Sequence, residues 1–223
     1  MDKGRLYIVA TPIGNLADLT FRAKEILETV DLVACEDTRH TSILLNHYGI
    51  KKPSVSFHSY SGITKTDRII GNLMKGQNVA LVSDAGTPGI SDPGYVLIQE
   101  ALASGINVIP IPGASAVITA LCASGLPTDK FLYLGFLPVK KGRQTLFKKI
   151  AESEYTVVFY ESPHRLVKTL EELKKYLKPD AKVAVAKELT KIYETFHRGT
   201  IDQIIKNLPA GKPKGEYVVM VFN

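Results

Sequence analysis

The chain has 223 residues, a formal net charge of +6, 45% hydrophobic residues and two cysteines, enough for one large or two small domains with real cores. No apolar run approaches the roughly eighteen residues that a membrane span needs, and Met1-Asp2-Lys3-Gly4-Arg5 leads straight into a strand without a secretory h-region, so a cytoplasmic protein is expected. Cys35 and Cys122 lie among apolar neighbours without metal-ligand spacing, which predicts buried reduced thiols and no metal site.

Arg5 to Ala10 reads as the first strand, ending in Thr11-Pro12-Ile13-Gly14-Asn15. Asp18 or Thr20 caps a helix over Phe21–Thr29. Leu32–Cys35 is the second strand and runs into Glu36-Asp37-Thr38-Arg39-His40 and a helix through Tyr48. Ser54–Phe57 is the third strand, followed by His58-Ser59-Tyr60 and a helix over Thr64–Met74. Val79–Val82 is the fourth strand, Tyr95–Leu102 a helix, and Asn107–Ile111 the fifth strand. Short buried strands alternating with helices predict a parallel, βα-built sheet. A small-residue helix over Ala114–Ser124 and a linker, Gly125–Asp129, close this part.

A second α/β unit follows: strand Phe131–Phe136, basic helix Gly142–Ala151, strand Tyr155–Tyr160, and helix Pro163–Tyr176 with proline in its first turn. Strands Lys182–Ala186 and Tyr193–Arg198, a short helix Ile201–Asn207 and a last strand Glu216–Phe222 complete it. The expected domains are therefore 1–113, a connecting helix and linker over 114–129, and 130–223. Residues 1–129 carry 10 Lys and Arg against 12 Asp and Glu, whereas residues 130–223 carry 18 against 10. That asymmetry points to a polyanion partner for the second half, solvated lysines on helix faces being the alternative.

The densest chemistry lies in Ser83-Asp84-Ala85-Gly86-Thr87-Pro88-Gly89-Ile90-Ser91-Asp92-Pro93-Gly94, at the carboxyl end of the fourth strand. Glycines admit close backbone approach, prolines fix shape, and hydroxyls and carboxylates supply directed hydrogen bonds. Such a loop sits where open α/β sheets bind ligands; a helix turn capped by Ser91 or Asp92 would need one of these residues, not twelve. No dinucleotide or P-loop glycine fingerprint, no His/Cys cluster and no Gly-x-Ser-x-Gly elbow occurs, which removes dehydrogenase, kinase, zinc-enzyme and serine-hydrolase readings.

The order VATPIGNLADLT, ACEDTRHT, VSDAGTPGISDPG, PIPGASA, YESPHRL and AKELTKIYE, running from Leu6 to about Val221, resembles the ribosomal RNA small-subunit methyltransferase I family of the tetrapyrrole methylase superfamily. The resemblance implies an α/β fold of two domains, a parallel-sheet N-terminal domain and a mixed-sheet C-terminal one. It further implies S-adenosylmethionine folded in a cleft between them, a homodimer, and 2′-O-methylation of a cytidine ribose, cytidine 1402, in 16S rRNA of the 30S subunit. Carried over by position, Pro12, Ser83, Asp84, Gly86, Thr87, Ile90, Ser115, Ala116 and Glu161 would contact the cofactor. Ala186, Leu189 and Val218 would approach its adenine. Tetrapyrrole methylases have Gly-Asp-Pro where this chain has Gly86-Thr87-Pro88, which replaces a carboxylate by a hydroxyl.

Methyl transfer to oxygen is an in-line displacement that needs alignment and help for a poor hydroxyl nucleophile. Glu36 and Asp37, and Lys187 and Glu188, are the candidates for that help. A capping acid with an internal salt bridge is the alternative for the first pair, a domain-interface ion pair for the second. His58 is a candidate base, or a turn histidine bonded to a neighbouring carbonyl. RNA contacts are expected at Lys140, Lys141, Arg143, Lys148 and Lys149, beside Phe136 and Phe147 as stacking surfaces. Arg39 is a further candidate for phosphate contact, and His164 and Arg165 at a helix start could hold an RNA phosphate or only cap their own structure. A porphyrinoid or diphthine-type methyltransferase of the same fold, or a non-catalytic protein binding S-adenosylmethionine or RNA, stays open as an alternative.

Overall fold

The computed structural model describes residues 2–57, 63–92, 94–208 and 214–223 and divides into two compact units, Met1–Ser115 and Ala116–Asn223. The first unit contains strands β1 (Arg5–Val9), β2 (Leu32–Cys35), β3 (Ser54–Ser56), β4 (Val79–Leu81) and β5 (Asn107–Ile111). Its helices are α1 (Phe21–Thr29), α2 (Thr38–His47), α3 (Ile63–Met74) and α4 (Tyr95–Ala103). The sheet is parallel throughout, in the order β3-β2-β4-β1-β5.

The strands are apolar on both faces because both are covered. Leu6, Ile8, Ala34, Val79 and Leu81 face Ile69 and Leu73 of α3 and Leu97 and Ala101 of α4. The alternate residues Val9, Val33, Cys35 and Ala80 face Ala23 and Leu27 of α1 and Leu45 of α2. The chain thus leaves β1 for one face and β4, its neighbour, for the other. A crevice opens at the carboxyl ends of two adjacent strands whose connections diverge in this way, and such a switch point is the ligand position of doubly wound sheets.

The second unit contains α5 (Ala116–Cys122), β6 (Phe131–Phe136), α6 (Arg143–Ala151), β7 (Thr156–Glu161) and α7 (Leu166–Lys174). After them come β8 (Lys182–Lys187), β9 (Thr195–Thr200), α8 (Ile201–Asn207) and β10 (Tyr217–Phe222). Its sheet is mixed, in the order β6-β7-β10-β8-β9, with β6 parallel to β7 and the other pairs antiparallel. One face packs Val157, Phe159, Val183, Val185, Val219 and Val221 against Phe147 of α6, Leu166, Leu170 and Leu173 of α7, and Ile201 and Ile204 of α8. The other carries the intervening residues Val158, Ala184, Ala186, Val218 and Met220, and α5 touches β7 and β10. Among the described residues no helix is long and apolar enough to cross a membrane.

Several expectations require correction. Thr20, not Asp18, caps α1, its side chain accepting from the Ala23 amide. Neither Ser91 nor Asp92 caps α4: Gly94 occupies the N-cap without any side-chain bond. The helix expected from Pro163 starts at Leu166, because residues 163–165 form a turn in which the Arg165 amide donates to the Ser162 carbonyl. The small-residue helix is shorter than 114–124, spanning Ala116–Cys122, and Cys122 at its end is exposed whereas Cys35 is buried. His58, Ser59, Tyr60 and Pro93 lie outside the described residues.

Candidate cofactor and substrate site

The loops after β1 and β4 meet at the switch point and are pinned to each other. Thr11 and Gly86 exchange both backbone hydrogen bonds, N–H to O, at 2.9 and 3.0 Å. The buried Thr11 hydroxyl donates to the Ser83 carbonyl at 3.2 Å, and the Ser83 hydroxyl donates to the Ala85 carbonyl at 3.2 Å. The loop after β5 joins them, since the Thr87 hydroxyl donates to the Ala114 carbonyl at 3.2 Å. Gly86 has φ +79°, and a Cβ there would stand 3.4 Å from Ile13. A Cβ on Gly113 would stand 3.0 Å from that of Ala10. Three turns are thereby drawn together by backbone contacts that larger residues would push apart. Pro12 and Thr87 are half-buried beside them and Ile90 is exposed. Ser115 and Ala116 follow, half-buried, at the boundary of the two units.

Carboxylates gather at the carboxyl ends of β2 and β4. Asp84 accepts from the Asp37 amide at 3.1 Å. Asp92 is pushed up to about 6, first by burial and then by the charge of Glu36; the Ser83 hydroxyl works against this and Asp84 adds to it. Asp92 thus feels the negative charge of two other acids, Glu36 and Asp84, surroundings that favour cations. Among the described residues no three His, Cys, Asp or Glu side chains form a group that could hold a metal ion. Asp37 itself caps α2, accepting from the Arg39 amide at 2.8 Å. The Arg39 guanidinium binds both its oxygens, at 3.2 and 2.8 Å. The Arg39 bonds hold the Asp37 carboxyl well below the usual carboxylate range. This is the capping acid with an internal salt bridge, on an exposed arginine.

In the second unit, Ala186 and Val218 are register partners on β8 and β10. Both are buried, as is Leu189 in the turn that follows. That turn is backbone-strained, with positive φ at Glu188 (52°) and Thr190 (65°). It is held by Glu188 Oε1, which accepts from the Glu216 amide at 2.9 Å and from Lys191 Nζ at 3.0 Å. Burial raises the Glu188 carboxyl, but the bonds from Glu216 and Lys191 outweigh it and the net shift is downward. Lys187 is half-buried at the end of β8. Thr190 was not singled out by the sequence, yet its hydroxyl is buried with no hydrogen-bond partner among the described residues. A hydroxyl left in that state is a site for a ligand acceptor or donor.

Glu161 is buried at the end of β7 and fully engaged. It accepts from the Ser162 amide at 2.7 Å, the Thr169 hydroxyl at 2.6 Å and the Arg165 guanidinium at 2.6 Å. A contact with a cofactor through its carboxylate would have to displace one of these. Lys140, Lys141, Lys148, Lys149 and His164 are exposed, as expected for phosphate contacts. Arg143 is not: it is buried and donates to Glu172, Thr169 and the Pro138 carbonyl. Phe147 is likewise buried in the core, which leaves Phe136, 58% exposed, as the aromatic surface beside the lysines. Helix periodicity explains both: positions 143, 147 and 150 share the inward stripe of α6.

These turns, on a parallel sheet followed by a mixed one, define a tetrapyrrole methylase: residues 5–205 match the family described as Tetrapyrrole (Corrin/Porphyrin) Methylases. The fold resembles the methyltransferase CobJ (TM-score 0.73, 17% identity, covering 99% of this chain and 94% of that one). It also resembles uroporphyrin-III-C-methyltransferase from Thermus thermophilus (TM-score 0.67, 21% identity, 98% and 94% covered). Closer in sequence are proteins named Ribosomal RNA small subunit methyltransferase I. That of Synechocystis sp. is 50% identical over 98% of this chain and 78% of its own length, and those of Haemophilus influenzae and Escherichia coli O157:H7 are each 48% identical over the same shares. The chain belongs to the ribosomal RNA small subunit methyltransferase I family.

Proposed function

We propose that the protein is an S-adenosylmethionine-dependent methyltransferase that acts on the 2′-oxygen of a cytidine ribose, cytidine 1402, in 16S rRNA of the 30S subunit. The observation that carries this reading is the pinned pair of loops at the switch point, Thr11 bonded to Gly86, in a chain about half identical to relatives named for the small-subunit RNA.

The donor set fits the cofactor. A sulfonium cation with an amino-acid tail asks for carboxylates and carbonyls, hydroxyls at the tail, and a small apolar slot for adenine. Asp84 and Asp92 supply the first, Ser83 and Thr87 the second, and Ala186, Leu189 and Val218 the third. The Thr190 hydroxyl, in the same turn as Leu189, has no hydrogen-bond partner among the described residues. Pro12, Gly86, Ile90, Ser115 and Ala116 complete the contacts, Glu161 buttressing the second unit from behind. S-adenosylmethionine, when bound, supplies a methyl group on positively charged sulfur.

Glu36 and the pair Lys187 and Glu188 remain the groups to receive or steer the proton of the ribose hydroxyl. Asp37, as a saturated cap, supports the turn that presents Glu36. Lys140, Lys141, Lys148 and Lys149, with Arg39 and His164, offer positive charge to the RNA backbone. The protein so read is cytoplasmic, works as a homodimer and uses no metal, with residues 114–129 linking domains 1–113 and 130–223. Purified protein, radiolabelled S-adenosylmethionine and 30S subunits from cells lacking the modification test it. Label on a single cytidine ribose is expected, and bound cofactor with no transfer to any RNA would overturn the reading.

A further inference from the structure

We propose that Arg143, Thr169 and Arg165 are positioning residues that set the direction of the basic loop 137–142, and through it the affinity for RNA substrate; this rests on the rRNA methyltransferase reading above. Two arginines from different elements converge on consecutive carbonyls at the base of that loop. Arg165 donates to the Leu137 carbonyl at 3.2 Å and Arg143 to the Pro138 carbonyl at 3.0 Å. Both are anchored inside the unit by one continuous network. Arg165 pairs with the buried Glu161 at 2.6 Å, and the Thr169 hydroxyl donates to the other Glu161 oxygen at 2.6 Å. Arg143 donates to the Thr169 oxygen at 2.7 Å and to Glu172 at 2.8 Å.

Past Leu137, which is buried in the core, and half-buried Pro138, the loop these arginines grip runs out into solvent. Val139 is 67% exposed, Lys140 and Lys141 are exposed, and Phe136 just before it is 58% exposed. Proline at 138 gives no backbone donor, so between the buried Leu137 side chain and the turn closed by the Arg143 amide on the Lys140 carbonyl the two guanidinium groups are what direct the segment. A buried network of this kind is a poor device for stability, since apolar side chains of like volume do as well. Its particular capacity is to fix one geometry, because an arginine fork is planar and binds in set directions. What it fixes is an exposed apolar and basic loop next to the Glu161–Arg165 turn, the composition needed to meet phosphates and an unstacked base.

The test is Thr169→Val, which removes the hydroxyl that bridges Glu161 and Arg143 while keeping shape. With 30S subunits as substrate, KM is expected to rise fivefold or more, with kcat and the affinity for S-adenosylmethionine within twofold of the parent. Lys140→Ala with Lys141→Ala is expected to raise KM comparably, and Thr169→Val added to that pair to raise it no further. A general loss of folding would not produce this masking. An unchanged KM, a loss confined to kcat or cofactor affinity, or effects that multiply in the Lys140→Ala, Lys141→Ala background would each overturn the proposal. If Thr169→Val does not fold, Glu172→Gln, which frees Arg143 from the solvent side, carries the same expectations. If the parent protein transfers methyl to no RNA, the enzymatic reading falls. Equilibrium binding of a 16S rRNA fragment by the same variants then decides: fivefold weakening by Thr169→Val upholds the positioning role, and unchanged binding overturns it.

Discussion

Two single residues carry measurable consequences of their surroundings. Asp92 binds its proton more tightly in the folded protein, at about 6, than the 3.8 of an ordinary aspartate, chiefly because of burial. Its contribution to stability is therefore fully present below about pH 4 and is lost as pH rises through about 6. Asp92→Asn should flatten the pH dependence of the melting temperature over that window and stabilise the protein at neutral pH by roughly 1 kcal/mol, allowing for its partial exposure. Thermal melts of parent and variant from pH 4 to 8 measure this. Thr190 is the opposite case. Its buried hydroxyl has no described partner, so Thr190→Val should leave the melting temperature unchanged or slightly higher. If that hydroxyl bonds the cofactor, calorimetric titration should show affinity falling about fivefold, the worth of one hydrogen bond.

At the scale of elements, the loop pair at the switch point is the part most sensitive to backbone geometry. Gly86→Ala places a Cβ at φ +79°, 3.4 Å from Ile13. It should cost about 1–2 kcal/mol and weaken cofactor binding, read by denaturant titration and calorimetry in parallel. Thr20→Ala removes the α1 cap and a long, 3.5 Å bond to the Pro112 carbonyl and should cost about 1 kcal/mol with no change in binding. The contrast also shows what a sequence makes legible. The β and α alternation of the first unit is legible because apolar strands covered on both faces leave uninterrupted runs, such as Val79–Leu81, between turn residues. The fate of Arg143 is not. Five basic residues in a row of ten look like one surface until the inward stripe of α6 claims positions 143, 147 and 150. Glu161 and Arg165 are hidden likewise, since their partner Thr169 and the Leu137 carbonyl come from other elements. The polar turns could be located from composition and their candidate contact residues taken from the family resemblance, but their pairing, Thr11 with Gly86, is a property of strand order.

For the whole molecule, the +6 charge and the exposed lysines of α6 and its preceding loop predict salt-sensitive substrate binding. The logarithm of RNA affinity should fall linearly with the logarithm of salt, and Lys140→Ala with Lys141→Ala should reduce the slope by about 1.4–1.8. Filter binding over 50–300 mM salt measures it; cofactor affinity should keep its salt response, since these lysines lie in the basic loop.

The strand order of the second sheet has a further consequence, for the order in which the protein is made. β10 is the last strand in sequence yet lies in the middle of its sheet, between β7 and β8. The first unit has all its strands by residue 111 and can close while synthesis continues. The second holds β6 and β7 on one side and β8 and β9 on the other, with an open slot, until residues 217–222 have left the ribosome. During that interval two apolar strand edges, Val157–Phe159 and Val183–Ala186, face a gap. A nascent chain stalled short of β10 is the form of this protein most exposed to chaperones and to aggregation.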